Sequence, residues 1–370
     1  MPKHDDTSPR PDVVALFEAL ERMDSPARMI LAEELLDLLA QDFPLAARAA
    51  GVLLAKASSA DGRRLGLEVL RRLNQSPEAS LRQEIAHALS EANADVGPVQ
   101  VDVLLLTIKD VEQIACLRAF GIPSGVEPVP LTGGAEAYLC THDGVRYAIG
   151  LVGTDGGTES ALGLGRLLLG VKTGLAILVG MAAGVRGPVH VGDVVVAEEV
   201  WAVDFEVLKA DGPHSPRPKT YRPTSSIAVH LPTFRNMDPT WAHRVSQEVR
   251  DWAARDPLCE IPEDMDEDWK PAWKPGVIFA GSRLVEDGSL PGRRRDEHAR
   301  LLAAEMEGHG FAAACHFGRE RLDWLVFRGV ADYGEPERVK DWQFAATYAA
   351  AALVRDAIAR GRIDVRPPRT

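Results

Sequence analysis

Apolar positions recur at three- and four-residue spacing from Pro11 to about Asn93, as in VVALFEALERM and ILAEELLDLLA, the period of helices with one buried stripe. Ser25-Pro26 and Ser76-Pro77 each set a hydroxyl at an N-cap position and a proline at the first helical position. The pattern predicts four or five short helices, with turns at Asp42–Pro44, Ser58–Gly62 and Asn74–Pro77. Residues 1–97 therefore read as a small all-α helical domain. No residue type in it points to a chemistry, so its expected role is oligomerisation or the recruitment of a protein partner.

The period changes at Val101. VDVLLLTI is a continuous apolar run of strand length, the pattern of a strand buried on both faces. VRYAIGLVG, GLAILVGMA, GDVVVAEEVWAV, GVIFAG and WLVFRGVAD also read as strands, whereas Thr158–Gly170, Asp296–Cys315 and Trp342–Gly361 read as helices. This alternation predicts an α/β domain over residues 98–370 with a mostly parallel sheet covered by helices. In such sheets ligands bind beyond the carboxyl ends of the strands, so the segments just after strands are where chemistry is expected. Between Lys209 and Lys274 the pattern weakens into a Pro-rich loop, a helix at Thr240–Ala254 and an acidic, tryptophan-containing stretch. A segment of this length in a compact domain reads as an active-site cover.

Composition narrows the function classes. The 370 residues carry a formal net charge of −12, which disfavours broad nucleic-acid binding, because phosphate-backbone affinity depends on clustered Lys and Arg. The Arg293–Arg295 triplet is the local exception, either a solvated basic loop or a contact for a substrate phosphate. Glycines interrupt the longest apolar run before it reaches spanning length, and the first dozen residues are acidic and Pro-containing where an export signal needs an apolar core. A cytoplasmic protein without membrane contact is expected. The four cysteines, Cys116, Cys140, Cys259 and Cys315, have no paired spacing, and the ten histidines have no ligand spacing. With no GxGxxG after the first strand, neither a metal nor a cofactor is implied.

Three strand-end segments can carry chemistry. Gly180-Met181-Ala182-Ala183-Gly184, followed by Gly192-Asp193, lets backbone approach a ligand without a β-carbon in the way, or simply makes a tight turn. Ala304-Glu305-Met306-Glu307-Gly308-His309-Gly310 displays two carboxylates from a junction with the apolar helix FAAACHF. A carboxylate there suits the paired hydroxyls of a ribose, and equally suits a solvated helix start. Arg328-Gly329-Val330-Ala331-Asp332-Tyr333-Gly334 places an aspartate at a strand edge, where partial desolvation would raise its pKa for general-acid work, or where it caps the next helix.

Taken together, these elements resemble the purine nucleoside phosphorylase and methylthioadenosine/S-adenosylhomocysteine nucleosidase superfamily, from Val101 to about Arg360. GMAAG…VGDVVVAEE resembles its glycine-turn and G-D strand signature, AEMEG its V-E-M-E-x element and RGVADY its R-x-I-S-D element. RPKTYRP and KDWQFAATYAAAA resemble the branch fused to other domains in bacterial defence and immune-receptor-like proteins, where the domain acts as an effector and some members cleave adenine from ATP. The resemblance implies a mixed sheet covered by helices, and an enzyme that breaks the N-glycosidic bond of a purine nucleoside or nucleotide. It also implies a homo-oligomer.

Residue by residue, the resemblance implies that Asp332 protonates or hydrogen-bonds N7 of the departing purine. Glu307 would hold the ribose 2′- and 3′-hydroxyls, Met306 would lie along the sugar face and Glu305 would support them. The water-activating acid follows the first strand in TIKDVEQ, at Glu112 by the spacing of the effector-like branch and at Asp110 by ungapped matching. Phe205 falls where the family presents an aromatic ring to base or ribose, and Ala183 and Gly184 fall in the glycine turn. Thr154 and Gly156 could hold an anion.

Some positions depart from the family. Ala331 replaces the serine before the catalytic aspartate, and Ala280 the serine of the S-G-D-like element, with Ser282 two residues later. Leu178 stands where hexameric phosphorylases carry an arginine, which favours water over phosphate as nucleophile. The expected function is thus an adenine-releasing hydrolase, with a phosphate-dependent phosphorylase and an inactive purine-binding signalling module as the competing readings.

Overall fold

The computed structural model describes residues 98–132, 134–202, 206–207, 215–216, 218–224, 238–263, 265–281, 298–318, 322–335 and 341–365. The expected N-terminal helices, Phe205, Ser282, Arg293–Arg295 and part of the expected cover lie outside the described residues. The chain divides into two units, Met1–Val99 with Ser124–Leu139 and Gln100–Pro123 with Cys140–Thr370. In the first, Val129–Pro130 pairs antiparallel with Ala137 and Glu136.

The second unit is a mixed α/β fold. Its main strands are β1 (Val103–Thr107), β2 (Val145–Leu151), β3 (Leu175–Gly184), β4 (Val194–Ala202), β5 (Lys219–Tyr221), β6 (Trp273–Ala280), β7 (Leu301–Glu305) and β8 (Asp323–Asp332). Its helices are α1 (Asp110–Ala119), α2 (Gly157–Gly170), α3 (Trp241–Ala253), α4 (Gly308–Phe317) and α5 (Trp342–Ala359). The strands run in the order β5-β4-β6-β7-β3-β1-β2, and β8 pairs with both β3 and β4. Strands β3, β8, β4, β6 and β7 therefore close into a ring. Around it the β3–β8, β4–β6 and β6–β7 pairs are parallel, while β4–β8 and β3–β7 are antiparallel.

The apolar runs of the sequence become these strands because they are buried on both faces. Every residue of β1 is buried, as is every residue of β8 between Trp324 and Ala331. Val185, just after β3, forms one apolar cluster with Trp201, Val277, Phe279, Leu301 and Ala304 of β4, β6 and β7. Helix α5 packs on α1, α3 and β8, and α4 packs on α2.

The helix expected over Asp296–Cys315 is corrected. Leu301–Glu305 is a fully buried strand, and among the described residues of this stretch only Gly308–Phe317 is helical. The strand's four apolar residues, Leu301–Ala304, have no polar face from which a helical period could be read, so periodicity alone does not separate a buried strand from a buried helix. The sheet is mostly parallel, as the alternation predicts, with β7 and β8 each reversing direction against one ring neighbour. Among the described residues no helix is long and apolar enough to cross a membrane.

Candidate active site

Arg328 sits in the middle of the apolar strand β8 and is completely buried. A guanidinium so placed needs anionic partners, since stripping it of water without them costs several kcal/mol, roughly. Its Nη2 donates to Glu305 Oε2 and, at 2.9 Å, to Glu307 Oε2, and its Nη1 stands 3.7 Å from Glu112 Oε1. Burial works against the charge of Arg328, but the carboxylates of Glu305, Glu307 and Glu112 outweigh it and hold its pKa above the usual value.

Each carboxylate is fixed by backbone as well. Glu112 Oε2 accepts from the N–H groups of Ile108 at 2.8 Å and Lys109 at 3.1 Å, and its Oε1 accepts from Met181 N–H at 2.8 Å. A carboxylate offers about four lone-pair positions, so one remains for a further donor. Glu305 accepts from Glu307 N–H at 3.1 Å and from Gly308 N–H at 2.9 Å, which satisfies orphan donors at the start of α4. Glu307 Oε1 faces the N–H of Gly156, the N-cap of α2, at 3.3 Å. The positive ends of α2 and α4 thus both point into the carboxylate cluster.

Three carboxylates share one guanidinium. Burial raises the pKa of Glu307, Arg328 pulls it down, and Glu305, Glu112 and Asp155 push it up again, leaving it at about 7.

Asp332 ends β8. The register between β8 and β3 shifts between Val330 and Asp332, so that Asp332 pairs with Ala183. A bulge at a strand end re-aims the side chain that follows it. Asp332 Oδ1 accepts from Gly334 N–H at 2.7 Å. The Gly192-Asp193 element closes this end: Gly192 N–H donates to Val330 O and Val330 N–H to Asp193 O, both at 2.8 Å.

A cleft joins these groups. Glu112, Glu305, Met306, Glu307 and Asp332 line it, together with Met181, Ala182 and Ala183 of β3. Eight of the sequence-derived candidates lie among the described residues. Six reach the cleft: Glu112, Ala183, Glu305, Met306, Glu307 and Asp332. Gly184 does not line it and is buried against Val189 and Val330. Thr154 is exposed and outside the lining, while its neighbour Asp155 is part of it. Asp110 is exposed and Glu112 is buried in the lining, so geometry places Glu112 rather than Asp110 beside the cluster. Ala331 also lines the cleft, at the place where the family carries a hydroxyl.

Sequence reasoning passed over four contributors. Arg328 has a visible signal, a charged residue inside the run WLVFRGVAD that is otherwise apolar up to its end. Lys109, Asp155 and Gln343 line the cleft from loops and helix starts far apart in sequence and carry no such signal. Among the described residues no group of His, Cys, Asp or Glu is arranged to hold a metal ion.

The constellation stands at the end of a closed ring of strands with helices around it, the form of a phosphorylase-type fold. The sequence profile of the phosphorylase superfamily matches residues 109–359, and the chain belongs to that superfamily. It is similar to ATP nucleosidase Cap17 of Escherichia coli, at 26% identity over 269 residues, covering 70% of this chain and 52% of the relative. The chain spans about half the length of the curated relatives it matches. Its fold resembles 5′-methylthioadenosine/S-adenosylhomocysteine nucleosidase of Helicobacter pylori, at 18% identity and a TM-score of 0.50, covering 71% of this chain and 99% of the other. A variant of that nucleosidase with 5′-methylthioadenosine in its active site matches at 17% identity and a TM-score of 0.50, covering 70% and 99%.

Proposed function

We propose that the chain hydrolyses the N-glycosidic bond of an adenine nucleoside or nucleotide, ATP among the candidates, and releases the free base. The observation that carries this reading is the buried Arg328, which gathers Glu112, Glu305 and Glu307 on one side of a cleft that Asp332 closes from the end of the same strand. In this reading Asp332 supplies the proton or hydrogen bond to N7 as the base leaves. Glu112 uses its remaining acceptor position to orient and deprotonate a water. Glu307 holds the ribose hydroxyls with Met306 along the sugar, and Glu305 positions Arg328.

Electrostatics favours water over phosphate. A floor with three carboxylates and one guanidinium stabilises the positive charge that develops on the sugar and repels a phosphate dianion. Leu178 is fully buried in β3 and supplies no anion site. Similarity to an ATP nucleosidase and to adenosine-type nucleosidases supports the same choice.

The test incubates the protein with adenosine, methylthioadenosine, AMP, ATP, inosine and guanosine, with and without phosphate, beside Asp332→Asn. Base release that is independent of phosphate and falls at least about 100-fold in the variant supports the hydrolase. Strict phosphate dependence supports the phosphorylase, and purine binding without turnover supports a binding module.

The setting belongs to the same proposal: a cytoplasmic, homo-oligomeric effector in bacterial defence or signalling, with residues 1–97 as the helical domain that assembles it or recruits a protein partner. Removal of residues 1–97 with no change in solution mass, partners or activity would eliminate that role.

A further inference from the structure

Among the described residues lining the cleft, Lys109 alone carries a positive charge. Its Nζ lies 3.3 Å from Asp155 Oδ2, and the two side chains are 43% and 42% exposed. Glu112, on the same turn of chain, is 3% exposed. The cleft therefore runs from a buried floor of carboxylates to an open rim that carries one ion pair. An exposed pair of this kind contributes about 0–1 kcal/mol to stability, so Lys109 can exchange its partner at little cost.

Resting on the hydrolase reading above, we propose that Lys109 receives a phosphate group of a 5′-nucleotide in exchange for Asp155, which makes nucleotides the preferred substrates over nucleosides. The floor repels a phosphate, so the phosphate end of a nucleotide is driven outward while its sugar and base stay inside. At the rim it meets an ammonium already turned to the cleft, and a dianion attracts that ammonium more strongly than the monoanionic carboxylate it displaces. Asp155 stays beside the vacated position, because its neighbour Gly156 is tied by its N–H to Glu307. It thereby competes with the phosphate for the ammonium.

Calorimetric titration of the full chain, of Lys109→Gln and of Asp155→Asn with AMP and with adenosine reads the inference as a ratio of affinities. The AMP-to-adenosine ratio is expected to fall at least tenfold in Lys109→Gln and to rise severalfold in Asp155→Asn. An unchanged ratio in Lys109→Gln overturns the proposal. Free phosphate is the other source of the same chemistry, and a third titration uses it. If inorganic phosphate binds only when Lys109 is present and accelerates adenosine cleavage, while the AMP ratio stays constant, Lys109 serves a phosphorylase and the proposal fails. Base release is followed in parallel. Its absence with every substrate sinks the hydrolase reading, whereas the binding ratio still decides the role of Lys109.

Discussion

Arg328 approaches Glu112 through a gap that Gly180 leaves open. Nη1 of the one stands 3.7 Å from Oε1 of the other, and a β-carbon on Gly180 would lie 2.2 Å from that nitrogen and 2.4 Å from that oxygen. The absence of a side chain at one position of β3 is thus what allows the arginine of β8 and the glutamate of α1 to share a site.

Gly180→Ala is expected to push the two groups apart while the rest of the fold persists. A displacement on the order of 1 Å at a reacting group costs about 100-fold in rate, and base release by the variant is expected to fall by that amount. Turnover within threefold of the parent would show that the approach is not needed.

Arg328→Met leaves three buried carboxylates without their common cation. Breaking a buried ion pair from one side destabilises by about 3–5 kcal/mol, measurable by chemical denaturation. Adding Glu305→Gln to Arg328→Met should recover part of the loss, because one of the stranded charges is then removed. A double variant less stable than Arg328→Met would contradict this account of the cluster.

Glu307 gives the site a pH response whose sign follows from its raised pKa of about 7. Below the ordinary value of 4.5 the group is protonated in both folded and unfolded chains, and its contribution to stability is fully present. Between 4.5 and 7 the unfolded chain loses the proton first, so that contribution is lost as pH rises through the folded value. Glu307→Gln should flatten the fall in melting temperature over this window. Activity runs the other way, since holding ribose hydroxyls requires the carboxylate: kcat/KM is expected to decline below about pH 7. A flat profile from pH 5 to 8 would remove Glu307 from this role.

Two glycines of neighbouring helices make opposite predictions. A β-carbon on Gly310 of α4 would lie 1.6 Å from the carbonyl oxygen of Gly157 at the start of α2, so Gly310→Ala is expected to cost about 1–3 kcal/mol and lower the melting temperature. Gly165, inside α2, has nothing within 4 Å of the same position, and Gly165→Ala should gain about 0.5–1 kcal/mol from helix propensity. Equal responses in thermal melts would refute the packing argument.

Much of the second unit was legible because its strands are apolar throughout. VDVLLLTI, GLAILVGMA and WLVFRGVAD each fall on the strand they announce to within two residues at either end, and the helix expected at Thr240–Ala254 appears as Trp241–Ala253. Leu301–Glu305 was misread because five buried residues carry no period of either kind. Helix α1 was not read at all, and its burial pattern explains why: Glu112 and Arg118 are buried in it, so its polar residues do not mark an outer face.

By itself the sequence determined which segments could be buried, where strands would end and which carboxylates stood at those ends. These are local properties, set by side-chain polarity and the two-residue or near-four-residue periods of the backbone. Only the tertiary structure decided that β3, β4, β6, β7 and β8 close into a ring and that Glu112, Glu305 and Glu307 meet on Arg328. It also decided that Lys109 faces Asp155 at the rim. Such encounters depend on strand order and on a register shift of one residue, and on a space left empty at Gly180. Residues brought together from positions 112 and 328 leave no trace in the pattern around either.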